Sequence, residues 1–174
     1  MSTPRYRDDP LAWALFGTLT DTGARLSEIV GLEVRDVDPQ ERSVTIKPNN
    51  IRGLKTKGSH RTIPLSRRAA EVLLGHRQGK EDGKAIFPRY ARPRGSDAAS
   101  AMMMKRLRTV ITDRKLTMHS LRHRMKDGLR NTGCPEAVSM AILGHGSNTV
   151  AANYGSGYAL EVMREHMELS LIHI

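Results

Sequence analysis

The period of the hydrophobic pattern changes twice along this chain, and this limits the folds it can adopt. Near the N-terminus and through the second half, apolar residues recur three or four positions apart, which indicates helices. Between these regions, Ser43–Lys47 and His60–Pro64 alternate as strands do, and Ile51–Lys55 is a candidate third strand. The pattern predicts an α+β fold, mainly α-helical, with a small two- or three-stranded antiparallel sheet.

Local signals predict where the elements of the first half begin and end. Apolar residues from Leu11 to Leu19 form a helix that we expect Gly23 to stop, and Gly31 closes a short helix over Leu26–Val30. Asp36–Pro39 is typical of a turn. Ser66 is a candidate N-cap for a helix that extends to about His76.

The second half contains four further predicted helices. Ser96 or Asp97 begins the first of them, and the second covers Ser120–Asn131. Pro135 opens the third as a first-turn proline, and Gly144 ends it. The apolar face of the first is formed by Met103, Met104, Leu107, Val110 and Ile111. Ser147 caps a last turn that carries Tyr154, and the tail after it has amphipathic helical spacing over Ala159–Leu171.

Length and charge restrict the class of protein. The 174 residues suit one domain. Lysine and arginine total 28 against 18 acidic residues, a net charge of +10 that favours a polyanionic partner such as nucleic acid. Aromatic residues make up only 4% of the chain, which favours duplex DNA over stacked single strands. The single cysteine allows no internal disulfide, and the absence of a long apolar run indicates a soluble intracellular protein.

The first chemically suggestive pattern places an arginine between two helices. Arg25 follows the predicted helix stop at Gly23 and precedes the short helix that contains Glu28. An arginine held at such a junction can present its planar fork to a phosphate, and Glu28 can brace it from behind. The alternative is an ordinary surface arginine in an exposed turn.

The second pattern is the basic hairpin Lys55–Pro64. Its tip can lie in a DNA groove, where Lys55 or Lys57 would contact the backbone or protonate a leaving oxygen, and Arg61 is a further candidate DNA contact. A solvated basic turn is the competing interpretation.

The third and fourth patterns combine histidine with arginine and tyrosine. His119 and Arg122 are three residues apart and share a helix face, which suits proton transfer next to a phosphate. His145 stands nine residues before Tyr154.

A metal site at His119 and His123 lacks an obvious third ligand. A helix-turn-helix over Cys134–Tyr154 would instead make the segment a DNA reader without chemistry.

Taken in order, these residues form the series Arg, Lys, His-x-x-Arg, His, Tyr. In this order and spacing the sequence resembles the tyrosine recombinase, or phage integrase, family. The resemblance implies that family's catalytic-domain fold and a site-specific DNA recombinase that needs no metal or other cofactor and no ATP. The stretches that carry it are Thr22–Leu32, Lys55–Leu65, Met118–His123 and Leu143–Tyr154.

The resemblance also implies a role for each matching residue. Arg25 and Arg122 would hold the scissile phosphate, with His145 donating a hydrogen bond to it and His119 assisting proton transfer. Tyr154 would attack phosphorus to leave a 3′-phosphotyrosyl bond and a free 5′-hydroxyl. A hairpin lysine, preferably Lys55 and otherwise Lys57, would protonate the leaving oxygen.

The family pattern sets further expectations for the whole chain. Residues 1–174 would be a single catalytic domain without the separate N-terminal DNA-binding domain of the family. Arg124 and Lys126 would add DNA contacts, and residues 155–174 would form a tail helix that either contacts a neighbouring subunit or folds back. The partners would be double-stranded DNA and, on DNA, a homotetramer of a chain that is monomeric or weakly associated when free. A bacterial or phage-encoded, nucleoid-associated cytoplasmic protein would fit.

Two alternatives to a recombinase stay open at this point. One is relaxation of DNA by a type IB topoisomerase-like enzyme, which shares the chemistry but exchanges no partners. The other is a non-catalytic DNA-binding module.

Overall fold

Helices dominate the fold and a small sheet is inserted between them. The computed structural model describes residues 10–53, 59–145 and 157–172. The helices are α1 (Pro10–Thr22), α2 (Leu26–Val30), α3 (Arg67–Arg77), α4 (Gly95–Leu107), α5 (Ser120–Asn131), α6 (Glu136–Leu143) and α7 (Leu160–Ile172). The strands are β1 (Val37–Asp38), β2 (Ser43–Ile46) and β3 (Arg61–Pro64). The predicted α+β class, mainly α-helical, is confirmed.

The sheet has three antiparallel strands in the order β1-β2-β3. Val44 lies opposite Val37 on one side and opposite Ile63 on the other. The third strand is therefore Val37–Asp38, which the sequence indicated as a turn, so that prediction was wrong. Val37 is only 4% exposed, and its burial against β2 outweighs the local turn signal of its neighbours.

Ile51–Gly53, the described part of the other candidate strand, forms no strand. The side-chain oxygen of Asn49 accepts hydrogen bonds from the backbone N–H groups of Ile51 and Arg52 at 3.1 and 2.8 Å. These bonds fold the backbone into a tight turn, so the segment is not extended as a ladder requires. Residues 54 and 55 lie outside the described residues.

Several predicted helix ends are confirmed. Gly23 and Gly144 follow α1 and α6 with φ of 61° and 65°, a left-handed conformation that glycine adopts without steric cost. Ser66 caps α3, since its hydroxyl accepts a hydrogen bond from the Ala69 N–H at 3.0 Å. Pro135 lies one position before α6, so the first-turn placement was off by one residue.

Helix α4 begins and ends earlier than predicted. It starts at Gly95, where only glycine fits, because a Cβ at this position would approach the Tyr90 carbonyl oxygen to 1.8 Å. Ser96 and Asp97 are therefore inside the helix and are not its cap. The helix ends at Leu107, and Val110, which the predicted apolar face included, is 56% exposed.

Two groups of buried apolar side chains hold the fold together. The larger surrounds the sheet and includes residues of α1 to α4, among them Leu15, Ile29 and Leu73. The smaller joins α5, α6 and α7 through Met125, Leu129, Ile142, Leu143, Met163 and Met167.

The predicted tail helix is present as α7, and it packs against its own domain. Met163 and Met167 are 4% and 3% exposed. The buried Arg164 donates to the Glu41 and Leu65 carbonyls at 2.7 and 3.4 Å. This packing leaves Val162, Leu169 and Ile172 exposed on the opposite side of the helix.

Candidate active site

Arg25 lies in the short extended junction between α1 and α2. The left-handed turn at Gly23 redirects the chain after α1, and a Cβ there would come within 2.7 Å of the Met125 Cγ. Arg25 then adopts an extended conformation at the N-terminus of α2. Its side chain is 20% exposed, so part of it remains accessible to solvent.

Glu28 holds Arg25 from the protein interior. Its carboxylate accepts one bond from the Arg25 backbone N–H and one from Arg25 Nη1, both at 2.8 Å. The predicted contact between these residues is therefore present. Burial alone would raise the pKa of Glu28, but hydrogen bonds and charge from Arg61, followed by bonds from Arg25, lower it overall. Glu28 is consequently ionised at neutral pH.

Arg122 projects from α5 into the same region and is 4% exposed. Its Nη1 donates to the Gly23 carbonyl at 2.9 Å, and its Nη2 donates to the Leu143 carbonyl. Burial, followed by the charges of Arg25 and Arg61, lowers the pKa of Arg122 to about 10. Arg122 therefore stays protonated at neutral pH, and among the described residues no carboxylate forms a salt bridge with it.

The charges in this cluster do not balance. Three guanidinium groups, those of Arg25, Arg61 and Arg122, surround the single carboxylate of Glu28, which leaves two positive charges uncompensated in the described part of the cluster. Buried cations normally need a counterion because desolvation penalises them. A phosphate diester that carries one negative charge, or a transition state that carries more, would supply it.

His145 follows Gly144 at the end of α6. Burial, and then the positive charges of Arg122, Lys126, Arg25 and Arg61, lower the pKa of His145 below its ordinary 6.5. At neutral pH the ring is thus uncharged, and it can still donate one N–H to an anion. The Leu143 carbonyl bound by Arg122 precedes His145 by two residues, which keeps the histidine near the arginines.

His119 stands at the start of α5, on the side of the site next to Arg25. Both residues line a cleft of about 280 Å³ together with Thr117 and Met104. The His119 ring meets the His123 ring edge to face, with centroids 4.9 Å apart, and His123 is exposed. The described residues contain no group of three possible metal ligands at this position or elsewhere.

The three predicted DNA contacts that the structure describes have different environments. Arg61 points inward with a side chain that is 7% exposed, and all three of its nitrogens donate within the protein, to Glu28, Ser59 and Ile142. Lys126 is half-buried and lies 3.9 Å from Glu136, and Arg124 donates to the Thr20 carbonyl at 3.5 Å. The geometry thus favours a supporting role for Arg61, whereas Lys126 keeps a partly exposed ammonium.

The remaining predicted site residues lie outside the described residues. They are Lys55 and Lys57 in the hairpin and the proposed nucleophile Tyr154. The described residues that flank these segments are Gly53 and Ser59 at the hairpin and His145 and Gly157 around Tyr154, and Ser59 accepts a bond from Arg25 Nη1 at 3.3 Å. Ser59 is therefore linked to the arginine cluster by this bond.

Arg52 is a supporting residue that the sequence interpretation missed. It is 3% exposed, and it donates from Nη1 to the Glu28 backbone carbonyl at 2.5 Å and from Nε to the Lys47 carbonyl at 3.0 Å. The Gly31 position leaves room for it, since a Cβ there would approach the Arg52 Cβ to 2.8 Å. In the sequence Arg52 is one basic residue among many, and no local pattern marks it as buried.

Comparison with known proteins identifies the family of this chain. The family model described as the phage integrase family matches residues 6–159. The chain belongs to the phage integrase family. The tyrosine recombinase XerD of Corynebacterium glutamicum is 31% identical to this integrase-family chain over 156 residues, which cover 85% of the chain and 47% of that protein. The chain spans about half the length of the curated relatives it matches.

Solved structures share the fold. The integrase of mycobacterium phage Brujita superposes with a TM-score of 0.67 at 19% identity, covering 92% of this chain and 51% of that one. The Tn1549 transposon integrase in complex with transposon right-end DNA gives a TM-score of 0.62 at 20% identity, covering 95% and 64%. The expected integrase catalytic-domain fold is confirmed. No helix in the described part of this integrase-family chain is long and apolar enough to cross a membrane.

Proposed function

We propose that this chain is the catalytic domain of a site-specific DNA recombinase that breaks and rejoins duplex DNA through Tyr154. The observation that carries the proposal is the arginine cluster, in which Arg122 is buried without a carboxylate partner among the described residues and the Arg25 side chain stays partly exposed. Such a cluster fits a phosphodiester and stabilises the charge that grows on it during substitution at phosphorus. The names of the relatives support the same reading.

Each residue has a distinct chemical task in this proposal. Arg25 and Arg122 bind the non-bridging oxygens, and His145, uncharged at neutral pH, donates a hydrogen bond to one of them. The Tyr154 phenol loses its proton with help from His119 and attacks phosphorus, which forms the 3′-phosphotyrosyl bond and breaks the bond to the 5′-oxygen. Lys55, or alternatively Lys57, protonates that oxygen to give the free 5′-hydroxyl.

Rejoining reverses these steps. The 5′-hydroxyl of the same or another strand attacks the phosphotyrosyl bond, and Tyr154 leaves as a phenol. The covalent bond preserves the phosphodiester energy, so the proposal requires no ATP. It requires no metal either, because the arginines supply the positive charge that a metal ion would otherwise provide.

The assembly and location of the enzyme belong to the same proposal. Recombination joins two duplexes, so we propose a homotetramer on DNA, with the exposed Val162, Leu169 and Ile172 of α7 available for subunit contact. Arg124 and Lys126 on α5 would touch the DNA backbone. We further propose that residues 1–174 act as one catalytic domain in the bacterial cytoplasm.

A covalent-trapping experiment tests the proposal. The full chain is incubated at low salt with a pool of random-sequence duplexes nicked so that the short cleaved fragment diffuses away and rejoining is prevented. We expect an SDS-resistant protein–DNA adduct that persists in EDTA and whose DNA is attached to the tryptic peptide containing Tyr154. Lys55→Ala and Lys57→Ala in the same assay identify the proton donor.

A matched pair of tyrosine variants controls the assay. Tyr154→Phe removes the nucleophile and is expected to abolish the adduct. Tyr158→Phe changes an exposed tyrosine four residues later and should leave it unchanged. An adduct that survives Tyr154→Phe, or DNA binding by the wild type without any adduct, contradicts the proposal, and the second result favours a non-catalytic DNA-binding module. Relaxation of supercoiled DNA without joint molecules would favour topoisomerase-like activity.

A further inference from the structure

Arg61 occupies the centre of the arginine cluster, although it does not face solvent. It is the first residue of β3, and its guanidinium enters the space between α2 and the C-terminal end of α6. Four of the five N–H groups of its guanidinium donate within the protein, against two for Arg122 among the described residues, so Arg61 has little donor capacity left for a ligand. Its hydrogen bonds therefore define what it does.

These hydrogen bonds reach two parts of the site at once. Nη1 and Nη2 bind the two oxygens of Glu28 at 3.2 and 3.0 Å, the forked geometry that arginine forms with a carboxylate. Nε donates to the Ile142 carbonyl in α6 at 2.8 Å. Arg61 thus connects the carboxylate that holds Arg25 to the helix end that leads to His145.

The C-terminal end of α6 depends on arginine donors. The carbonyls of Ile142 and Leu143 are consecutive, and they accept from Arg61 and Arg122 respectively. Both cations also complement the negative end of the helix dipole. A Cβ at Gly144 would lie 2.5 Å from Arg61 Nη1, so the turn before His145 rests directly on the Arg61 guanidinium.

Arg61 also holds Ser59, which lies two residues before it in the hairpin. Its Nη1 donates to the Ser59 carbonyl at 2.9 Å, and the Ser59 hydroxyl accepts from Arg25 Nη1 at 3.3 Å. Ser59 is fully buried. The same guanidinium therefore ties residue 59, next to the hairpin segment 54–58, to Arg25.

We infer that Arg61 is a positioning residue that sets the spacing of Arg25, Arg122 and His145, and that it does not bind DNA itself. The inference rests on the proposed function and adds to it the residue that fixes the relative positions of the phosphate-binding groups. Lysine cannot replace it, because one ammonium group cannot bind both Glu28 oxygens and the Ile142 carbonyl in the same plane.

Arg61→Lys separates positioning from DNA contact, because it preserves the charge and removes the fork. With the nicked duplex pool, we expect the dissociation constant and its salt dependence to stay within twofold of wild type. The single-turnover rate of adduct formation should fall about a hundredfold, the scale of a displacement of about 1 Å in a catalytic group. Arg67→Lys, at an exposed position on α3, is the matched control and should leave both quantities unchanged.

A direct measurement on free protein makes the inference independent of activity. In NMR spectra, Arg61→Lys should shift the Nε–H signals of Arg25 and Arg122 and the imidazole signals of His145, whereas Arg67→Lys should not. If Arg61→Lys does not fold, Gly144→Ala displaces the same guanidinium while Arg61 is retained, and the same signals should move.

The outcomes are distinguishable. No adduct from the wild type contradicts the proposed function, while the NMR shifts still decide the role of Arg61. Shifts no larger in Arg61→Lys than in Arg67→Lys overturn the inference. One result would instead show that Arg61 is a DNA contact. In that case Arg61→Gln raises the dissociation constant and reduces its salt dependence without an NMR shift at Arg25, while Arg67→Gln changes neither quantity.

Discussion

Glu28 is the single described carboxylate that the arginines of the site share. It binds Arg25 and Arg61 through four hydrogen bonds, but its single negative charge leaves two of the three guanidinium charges uncompensated among the described residues. One carboxylate therefore does two things: it orients Arg25, and it limits the repulsion between the guanidinium groups. A bound phosphate would neutralise the positive charge that remains.

The surplus charge should be visible in the titration of His145. Burial and then neighbouring cations lower the pKa of His145, so its NMR titration midpoint should lie below 6.5 in the folded chain. Lys126→Gln removes one of those cations and should raise the midpoint. A midpoint at or above 6.5 in the wild type would contradict this electrostatic picture.

The same shift has a consequence for stability. Below pH 6.5 the unfolded chain binds a proton at His145 more readily than the folded chain does, so folding is disfavoured as the proton binds. The contribution of His145 to the free energy of unfolding is thus fully present above pH 6.5 and is lost as the pH falls through the lowered, folded-state pKa. His145→Gln should flatten the pH dependence of unfolding in that window, as measured by urea titration.

At the scale of elements, the site depends on how α1 and α6 end. Both helices stop at a glycine with positive φ, and both final turns supply carbonyls to Arg122, from Gly23 and Leu143. At these two places, the turn that ends the helix also positions a carbonyl group that Arg122 binds.

Replacement of Gly144 separates backbone strain from side-chain crowding. Gly133→Ala, at φ 74° with open space around the Cβ position, should lower the free energy of unfolding by about 1–2 kcal/mol through strain alone. Gly144→Ala has a similar φ and also meets Arg61 at 2.5 Å, so it should cost more and slow adduct formation. Equal losses in urea unfolding, with equal adduct rates, would mean that Arg61 moves aside without consequence.

Local sequence signals predicted the elements well and the roles of buried charges poorly. The stops at Gly23 and Gly144 and the cap at Ser66 were predictable because each depends on a few neighbouring residues. The inward orientation of Arg61 was not, because its partner Ile142 lies 81 residues away. Strand β1 was missed because two residues are too few to establish an alternating pattern.

At the scale of the whole molecule, the apolar residues fall into two clusters, and α7 completes the second. Helix α7 packs on α5 and β3, and Arg164 attaches it to carbonyls of Glu41 and Leu65. The tail helix is thus an integral part of the domain. A role in subunit contact would use its outer side, so the two expectations for this helix are compatible.

Core packing by α7 predicts unequal effects from two substitutions on the same helix. Met167→Ala removes a side chain that is 3% exposed and should lower the free energy of unfolding by about 2–5 kcal/mol. Leu169→Ala removes a side chain that is 37% exposed and should change it by less than about 1 kcal/mol. Thermal unfolding of dilute protein measures both, and similar small losses would mean that α7 does not pack on its own domain in solution.

The place of α7 in the chain also matters during protein synthesis. The ribosome makes α5 and β3 well before α7, so Met125 and Leu129 must wait for Met163 and Met167 to cover them. Arg164 finds its partners only across 99 and 123 residues of chain already made. The nascent chain therefore carries this exposed apolar surface until α7 has been made, and this interval is when chaperones or aggregation would compete with folding.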